Sequence, residues 1–131
     1  MRLFLILFFI FGALTLSAKE GIVVDSQHKL VWQDNIEHSE LIWKLTRGYC
    51  SQLNLGGFDD WRMPTREELI SLGKNKQLKQ KFHYLEDGLY WSKTEEKGND
   101  LSAYTIYSGN GHDSISDKCD KYFAVCVRGT N

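Results

Sequence analysis

Three cysteines are the residues of this sequence with the clearest chemical potential. Cys50, Cys119 and Cys126 include neither a C-x-x-C pair nor a spacing with histidine that suits zinc. A catalytic thiol needs a neighbouring base, and no histidine has a sequence context that marks it as one for Cys119. No two carboxylates are spaced as a general acid and base either. We therefore expect that this protein is not an enzyme.

A polar segment near the C-terminus gathers nitrogen and oxygen ligands. Its sequence is "GNGHDSISDKCD", and the candidate ligands are Asn110, His112, Asp113, Asp117 and Asp120. Their spacing matches no defined calcium loop, so calcium is possible but unsupported by a motif. We expect a solvated loop, and we predict no metal site and no cofactor.

This polar segment is also the best candidate for a recognition surface, together with residues 84–90 and 94–100. Loops carried on a rigid scaffold are the usual location of binding residues. Aromatic and polar side chains that stack on sugars or bind peptides are the predicted ligand-binding residues: Tyr84, Tyr107, Asn110, His112 and Asp113. Packing in the core is the alternative for each aromatic ring, and it is at least as well supported for Tyr107.

The stretch "GGFDDWRMPTREEL" concentrates unusual residues between Gly56 and Leu69. Trp61 can anchor a core with its large ring and single N–H. Arg62 can form charge-assisted bonds to backbone carbonyls or to a carboxylate, for which Asp59 and Asp60 are candidates. We interpret this stretch as structural, with a ligand site as the alternative.

The same stretch contains the start of a helix. Thr65 is the expected N-cap, and Glu68 three residues later completes a capping box. Pro64 favours an extended conformation for Met63 before the helix begins. Apolar side chains at Leu69, Ile70 and Leu72 should be buried, and the lysine-rich residues 74–81 should form the solvated face of a further short helix.

An earlier helix is predicted to begin at Ser39 as N-cap. Apolar residues recur at helical spacing on one face, namely Leu41, Ile42, Leu45, Tyr49 and Leu53. Gly56 and Gly57 should end this helix, because glycine adopts the left-handed geometry of a helix end. Cys50 lies near the apolar face, so its sulfur is expected to point inward.

Strands are predicted at both ends of the chain. Residues 22–24 and 30–32 are apolar runs around a polar turn, which is typical of a hairpin. Residues 88–94, 102–108 and 121–129 are aromatic and β-branched. Both faces of the last run are apolar, which favours a central strand covered on both sides. The predicted class is α+β, with the first and last segments able to pair.

Composition and the N-terminus define the compartment. Residues 1–18 have a charged start, an apolar run too short for a membrane span and a small-residue exit, which predicts a secretory signal peptide rather than an anchor. The remaining residues 19–131 have the size of one domain. We expect export to the periplasm or the extracellular space, with no membrane span after cleavage. A formal net charge of −1 argues against nucleic acid as a partner.

Four sequence blocks in order resemble the C-terminal domain family of Legionella collagen-like protein. They are "VVDSQHKLVWQD", "YCSQLNLGGFDDWRMPTREELISL", "YWSKT" and "CVRG", and together they extend over nearly all of residues 21–129. Trp32 and Trp91 belong to these blocks and are assigned structural roles with Trp61. The family resembles C-type lectins and formylglycine-generating enzymes in fold. The resemblance therefore implies a C-type-lectin-like fold with an N-terminal hairpin, two helices and a mainly antiparallel sheet closed by the C-terminal strand.

The resemblance also implies a function and a disulfide. It points to a non-catalytic binding module for adhesion or glycan recognition, since the named domain is associated with sulfated glycosaminoglycans. The alternatives are an accessory factor that binds a protein of the envelope and, less favoured, an enzyme related to formylglycine-generating enzymes. In the resembling folds a helix cysteine is joined to the closing strand, which implies Cys50–Cys126, with Cys50–Cys119 as the rival pairing. Cys119 would then be free or intermolecular.

Overall fold

The computed structural model describes residues 21–35 and 39–130. Within them the elements are β1 (Ile22–Asp25), β2 (Leu30–Gln33), β3 (Glu40–Leu41), α1 (Trp43–Gln52), α2 (Arg66–Lys74), α3 (Lys76–Lys79), β4 (Leu89–Glu96), β5 (Asn99–Tyr107), β6 (Asp113–Asp117), β7 (Tyr122–Phe123) and β8 (Val127–Gly129). This arrangement confirms the predicted α+β class. The predicted signal peptide, residues 1–18, lies outside the described residues. In the part of the chain that is described, no helix has the length and apolar character required to traverse a bilayer.

The strands form two sheets. The smaller sheet has the order β1-β2-β8, and the larger has the order β3-β7-β4-β5-β6. All pairs are antiparallel except β4 with β7, which is parallel through Tyr90 and Phe123. The predicted hairpin is confirmed as β1 and β2, and β8 pairs with β2, so the two ends of the domain meet as expected.

The prediction of a sheet closed by the C-terminal strand is wrong. Neither sheet formed by the described residues is closed, and the predicted strand 121–129 divides into β7 in the larger sheet and β8 in the smaller. The chain leaves the ladder between them because Cys126 bonds to Gln33 instead. The Cys126 N–H donates to Gln33 Oε1 at 2.9 Å, and the Gln33 N–H donates to the Cys126 carbonyl at 2.9 Å.

Two core clusters lie on either side of this crossing segment. The first cluster includes Trp32, Leu69, Leu72, Tyr90, Ile106, Val125 and Val127. The second cluster includes Trp43, Cys50, Trp61, Met63, Trp91 and Cys126. Val125 and Val127 therefore face one cluster and Cys126 faces the other, which confirms that the C-terminal segment is covered on both sides.

The first helix differs from the prediction at both ends. It begins at Trp43 with Ile42 as N-cap, not at Ser39, because Glu40 and Leu41 pair with β7 as β3. The buried residues are Trp43, Thr46 and Cys50. Of the predicted apolar face, Tyr49 and Leu53 are partly buried and pack against the second core cluster, whereas Leu45 is 57% exposed, so its prediction as a buried residue is wrong. The helix ends at Gln52, and the two glycines form the later turn 55–58 with positive φ angles of 64° and 84°.

The second helix follows the prediction closely. Thr65 is the N-cap, and both bonds of the capping box with Glu68 are present. Leu69 and Leu72 are buried in the first core cluster, and Ile70 packs against it from a partly buried position. The lysine-rich residues that follow contain the short helix α3, whose buried residue is Leu78.

Candidate functional site

Trp61 holds a tight turn against the second core cluster. Its ring is 3% exposed, and its indole N–H lies 3.3 Å from the Leu55 carbonyl and 3.2 Å from the Phe58 carbonyl. Phe58 contacts the Trp61 ring edge to face, with centroids 6.4 Å apart. These contacts give Trp61 the anchoring geometry that the sequence suggested.

Arg62 joins three parts of the fold. Its backbone N–H and carbonyl bond to Val127 in β8, at 2.9 and 2.8 Å. Its guanidinium donates two bonds of 2.9 Å to the two carboxylate oxygens of Glu68, the residue that also caps α2. Burial raises the pKa of Glu68, but the bonds from Arg62 and from the Thr65 N–H outweigh it, and the net pKa is lowered.

Asp60 has a partner that sequence reasoning missed. Asp59 and Asp60 were the candidate carboxylates for Arg62, but Asp60 instead accepts a bond of 3.0 Å from Arg128 Nη2. The Arg128 guanidinium lies 3.8 Å from the centre of the Phe58 ring. The hydrogen bond from Arg128 lowers the pKa of Asp60. The C-terminal position of Arg128 in "CVRG" was the available signal, but its pairing depends on the tertiary fold.

A groove opens beside the Trp61 segment, and we call it the tryptophan groove. It has a volume of about 320 Å³ and is lined by Trp43, Arg47, Ser51, Trp61, Arg62, Met63, Lys93 and Glu95. Trp43, Trp61 and Met63 are buried residues of the second core cluster and form its apolar base. The Lys93 N–H donates to the Pro64 carbonyl at 2.8 Å, which fixes β4 beside residues 61–64.

Trp43 is held by bonds at both its backbone and its ring. Its backbone N–H donates to the Lys118 carbonyl at 3.1 Å, and its indole N–H donates to the Ser92 carbonyl at 2.9 Å. The Lys118 ammonium lies 4.2 Å from the ring centre, and the Arg47 guanidinium lies 5.2 Å from it. The Trp43 ring is therefore held in place, and it already makes cation–π contacts with Lys118 and Arg47.

The rim of the tryptophan groove has an excess of positive charge. Arg62 pairs with Glu68, and Lys118 pairs with Glu95. Within residues 21–35 and 39–130, no carboxylate lies in ion-pair range of Arg47 or Lys93, and both side chains are exposed. Arg47 and Lys93 can therefore bind an anionic group at the rim of the groove.

The predicted ligand-binding residues lie elsewhere. Tyr107, Asn110, His112 and Asp113 are near one another at the turn from β5 to β6, but none of them is among the described residues that line the groove. The Asn110 side chain accepts the His112 N–H at 2.9 Å, and Arg66 pairs with Asp113. The first contact orders the turn, and the second ties the start of β6 to α2.

The two predicted tyrosines have local contacts. A hydrogen bond to Asp87 raises the pKa of Tyr107. Tyr84 precedes this carboxylate in the loop 80–88, where its backbone N–H donates to Asp34 at 2.9 Å. The structure thus brings Tyr107 to the same loop region as Tyr84, without placing either in the tryptophan groove.

The predicted metal ligands and cysteines have different outcomes in the fold. In the described ranges, no group of three or more His, Cys, Asp and Glu side chains is placed to hold a metal ion. Asp117 accepts the Cys119 N–H at 2.8 Å, which orders the turn after β6. Cys50 and Cys126 form the expected disulfide, and Cys119 is an exposed free thiol.

Comparison with known proteins assigns the chain to a family. The family model of the Lcl C-terminal domain matches residues 21–128, a range that includes every helix and strand described above except the last residue of β8, Gly129. No curated protein matches the chain. On the strength of the family match over most of its length, the chain belongs to the Lcl C-terminal domain family.

Proposed function

We propose that this protein is an exported binding module whose tryptophan groove binds an acidic carbohydrate without catalysing a reaction. The Cys50–Cys126 disulfide is compatible with an oxidising compartment outside the cytoplasm. The groove contains no paired nucleophile and base among its described lining residues, so we assign it binding without a reaction. An envelope protein as the partner is the alternative.

The exposed cations Arg47 and Lys93 beside Trp43 and Trp61 are the observation that supports this proposal. A carboxylate or sulfate substituent on a saccharide can accept charge-assisted hydrogen bonds from a guanidinium or ammonium group at the rim of the groove. The whole chain has a formal net charge of −1, which disfavours long polyanions in general. Acidic saccharides would therefore be attracted by the two cations at the groove and not by the net charge of the whole protein.

The test is binding of the purified mature protein to arrays of neutral, carboxylated and sulfated glycans at physiological salt. We expect binding to acidic glycans only, unchanged by a calcium chelator and weakened by added salt, since exposed charges are screened. Loss of binding on chelation would contradict the groove as the site and favour the polar segment 109–120. No glycan binding under any condition would favour the protein partner.

Variants locate the binding site. Arg47→Gln and Lys93→Gln should each weaken binding about fivefold, because an exposed charge pair contributes up to about 1 kcal/mol. Lys81→Gln removes an exposed lysine that does not line the groove and is the matched control. Equal affinities for wild type, Lys81→Gln and the double variant at positions 47 and 93 would exclude the tryptophan groove.

A further inference from the structure

A second depression in the surface contains a serine, a histidine and an aspartate in contact. Asp25 ends β1, His28 lies in the turn to β2, and Ser71 lies on α2. His28 Nδ1 is 2.8 Å from Asp25 Oδ2, and His28 Nε2 is 3.4 Å from Ser71 Oγ. Ser71 and the hairpin turn are far apart in sequence, so only the folded chain shows this arrangement.

Asp25 determines which nitrogen of the His28 ring donates a hydrogen bond and which accepts one. Asp25 is 6% exposed, and its other oxygen accepts the His28 backbone N–H at 3.3 Å. An ionised carboxylate can only accept hydrogen bonds, so the ring proton of His28 belongs on Nδ1. The lone pair of Nε2 then faces the Ser71 hydroxyl and can accept its proton. The order Asp, His Nδ1, His Nε2, Ser Oγ is that of a nucleophilic serine activated by a base.

The depression has room for a small substrate. Its volume is about 240 Å³, and its lining consists of Asp25, His28, Leu30, Glu67, Glu68 and Ser71. It shares no described lining residue with the tryptophan groove. Leu30 offers apolar contact for a short acyl chain, whereas Glu67 and Glu68 repel an anion. The fitting substrate class is a small, uncharged carboxylic ester.

We propose that Ser71, His28 and Asp25 form a nucleophilic serine site that slowly hydrolyses small uncharged carboxylic esters. Ser71 Oγ attacks the ester carbonyl carbon while its proton passes to His28 Nε2. The bond from that carbon to the leaving oxygen breaks, and His28 returns the proton to the leaving alcohol. Water then attacks the acyl-serine in the same way, releasing the acid and restoring Ser71. This activity goes beyond the binding role of the groove and departs from the sequence-based expectation that the protein is not an enzyme.

The surroundings of Ser71 limit the rate. General base catalysis contributes roughly 10²–10⁴-fold. Ser71 lies inside a helix, where backbone N–H groups are used in helical bonds, and the described lining contains no cation to stabilise an oxyanion. An oxyanion hole is worth about 10²–10³-fold where one is present. Acylation of Ser71 should therefore be easier to observe than rapid turnover.

The decisive experiment is covalent labelling of the full-length protein with a fluorophosphonate probe, followed by peptide mass spectrometry. We expect phosphonylation of Ser71. Ser71→Ala should remove the label, and His28→Gln should slow labelling by about 100-fold, the lower end of general base effects. Ser114→Ala changes an exposed serine on β6 and should label as wild type. A label on other residues only, or equal rates for wild type and His28→Gln, would overturn the proposal.

Hydrolysis of p-nitrophenyl butyrate provides the turnover measurement. Exposed histidines can also cleave activated esters, so only the part of the rate that is lost in Ser71→Ala counts for the site. We expect that part to disappear equally in His28→Gln. If Ser71→Ala hydrolyses the ester at the wild-type rate and the probe does not label Ser71, the site has no acyl-transfer activity.

Asp25 acts as a positioning residue, and its role has a separate readout. Asp25→Asn should shift the His28 ring proton from Nδ1 towards Nε2, because an amide can donate to Nδ1. Nitrogen chemical shifts of the His28 ring measure this tautomer directly, and the labelling rate of Ser71 should fall with it. An unchanged tautomer with an unchanged labelling rate would remove Asp25 from the site. Circular dichroism of each variant verifies folding, and His28→Gln provides the test should Asp25→Asn not fold.

Discussion

At the scale of single residues, Glu68 links the start of a helix to a neighbouring cation. Its carboxylate accepts the Thr65 N–H at 2.9 Å and two bonds from Arg62. Burial acts to raise its pKa, and these hydrogen bonds lower the pKa by more, so the folded pKa lies below the ordinary value of 4.5. A carboxylate whose pKa is lowered by folding stabilises the protein at pH values above its pKa in the unfolded chain. That stabilisation is lost as the pH falls through the folded value.

We predict that Glu68→Gln lowers the free energy of unfolding at neutral pH by about 2 kcal/mol, since hydrogen bonds to charged groups contribute that order. Between about pH 5 and pH 3 the wild type should lose stability more steeply than the variant, because only the wild type takes up a proton at this position. Urea unfolding at several pH values measures both effects. Glu67→Gln, at the exposed neighbouring position, is the control. Equal pH slopes for wild type and Glu68→Gln would contradict this account.

The residue scale also shows which contacts a sequence can reveal. The Thr65–Glu68 capping box was predictable because both bonds form within one helical turn. The Arg62–Glu68 and Arg128–Asp60 pairs were not predictable from the sequence, because their geometry depends on how β8 lies against residues 60–62. For the same reason the sequence placed the binding residues on the polar loop, whereas the tryptophan groove unites α1, β4 and residues 61–63.

At the scale of elements, α2 lies very close to the β5–β6 turn. A Cβ atom on Gly73 would lie 2.5 Å from Gly111 Cα and 3.1 Å from the Tyr107 carbonyl oxygen. Gly111 itself has a φ of 80°, which a residue with a side chain rarely adopts. The two glycines therefore determine how closely the helix approaches the larger sheet.

We predict that Gly73→Ala destabilises the protein by about 1–2 kcal/mol. Alanine gains up to about 1 kcal/mol of helix propensity, but displacing the turn costs about 1–3 kcal/mol or more in a packed interior. Gly48→Ala in α1 is the matched control, since nothing lies within 4 Å of its added Cβ, and it should stabilise the protein. Thermal unfolding of both variants separates the two effects. A Gly73→Ala protein as stable as Gly48→Ala would show that the turn moves without cost.

Local patterns predicted some elements and not others. The hairpin and α2 were predictable because apolar periodicity and capping residues occur within each segment. The start of α1 was not, because residues 40–41 pair with β7, far along the chain, and this pairing outweighs their helical pattern. The division of residues 121–129 between two sheets likewise depends on the side chain of Gln33, which no pattern in the C-terminal segment reveals.

At the scale of the whole molecule, the disulfide connects α1 to the segment that crosses between the sheets. Cys50 and Cys126 are 76 positions apart in sequence. Both sulfurs lie in the second core cluster, which also contains Trp43, Trp61 and Met63 at the base of the tryptophan groove. The bond therefore restrains the unfolded chain and also ties α1, which carries Arg47, to the segment that crosses between the sheets.

We predict that replacing Cys50 and Cys126 by alanine lowers the free energy of unfolding by about 2–5 kcal/mol, the usual cost of removing a native disulfide. A reductant should lower the unfolding midpoint of the wild type to that of the double variant. Cys119→Ser should leave it unchanged, because Cys119 is exposed and outside the disulfide. Because α1 supplies Trp43 and Arg47, acidic-glycan binding should weaken in the double variant even at temperatures where it remains folded. A reductant that leaves the wild-type midpoint unchanged would mean that the disulfide does not restrain the fold. Unchanged glycan affinity in the folded double variant would mean that the groove keeps its shape through the hydrogen bonds of Trp43 alone.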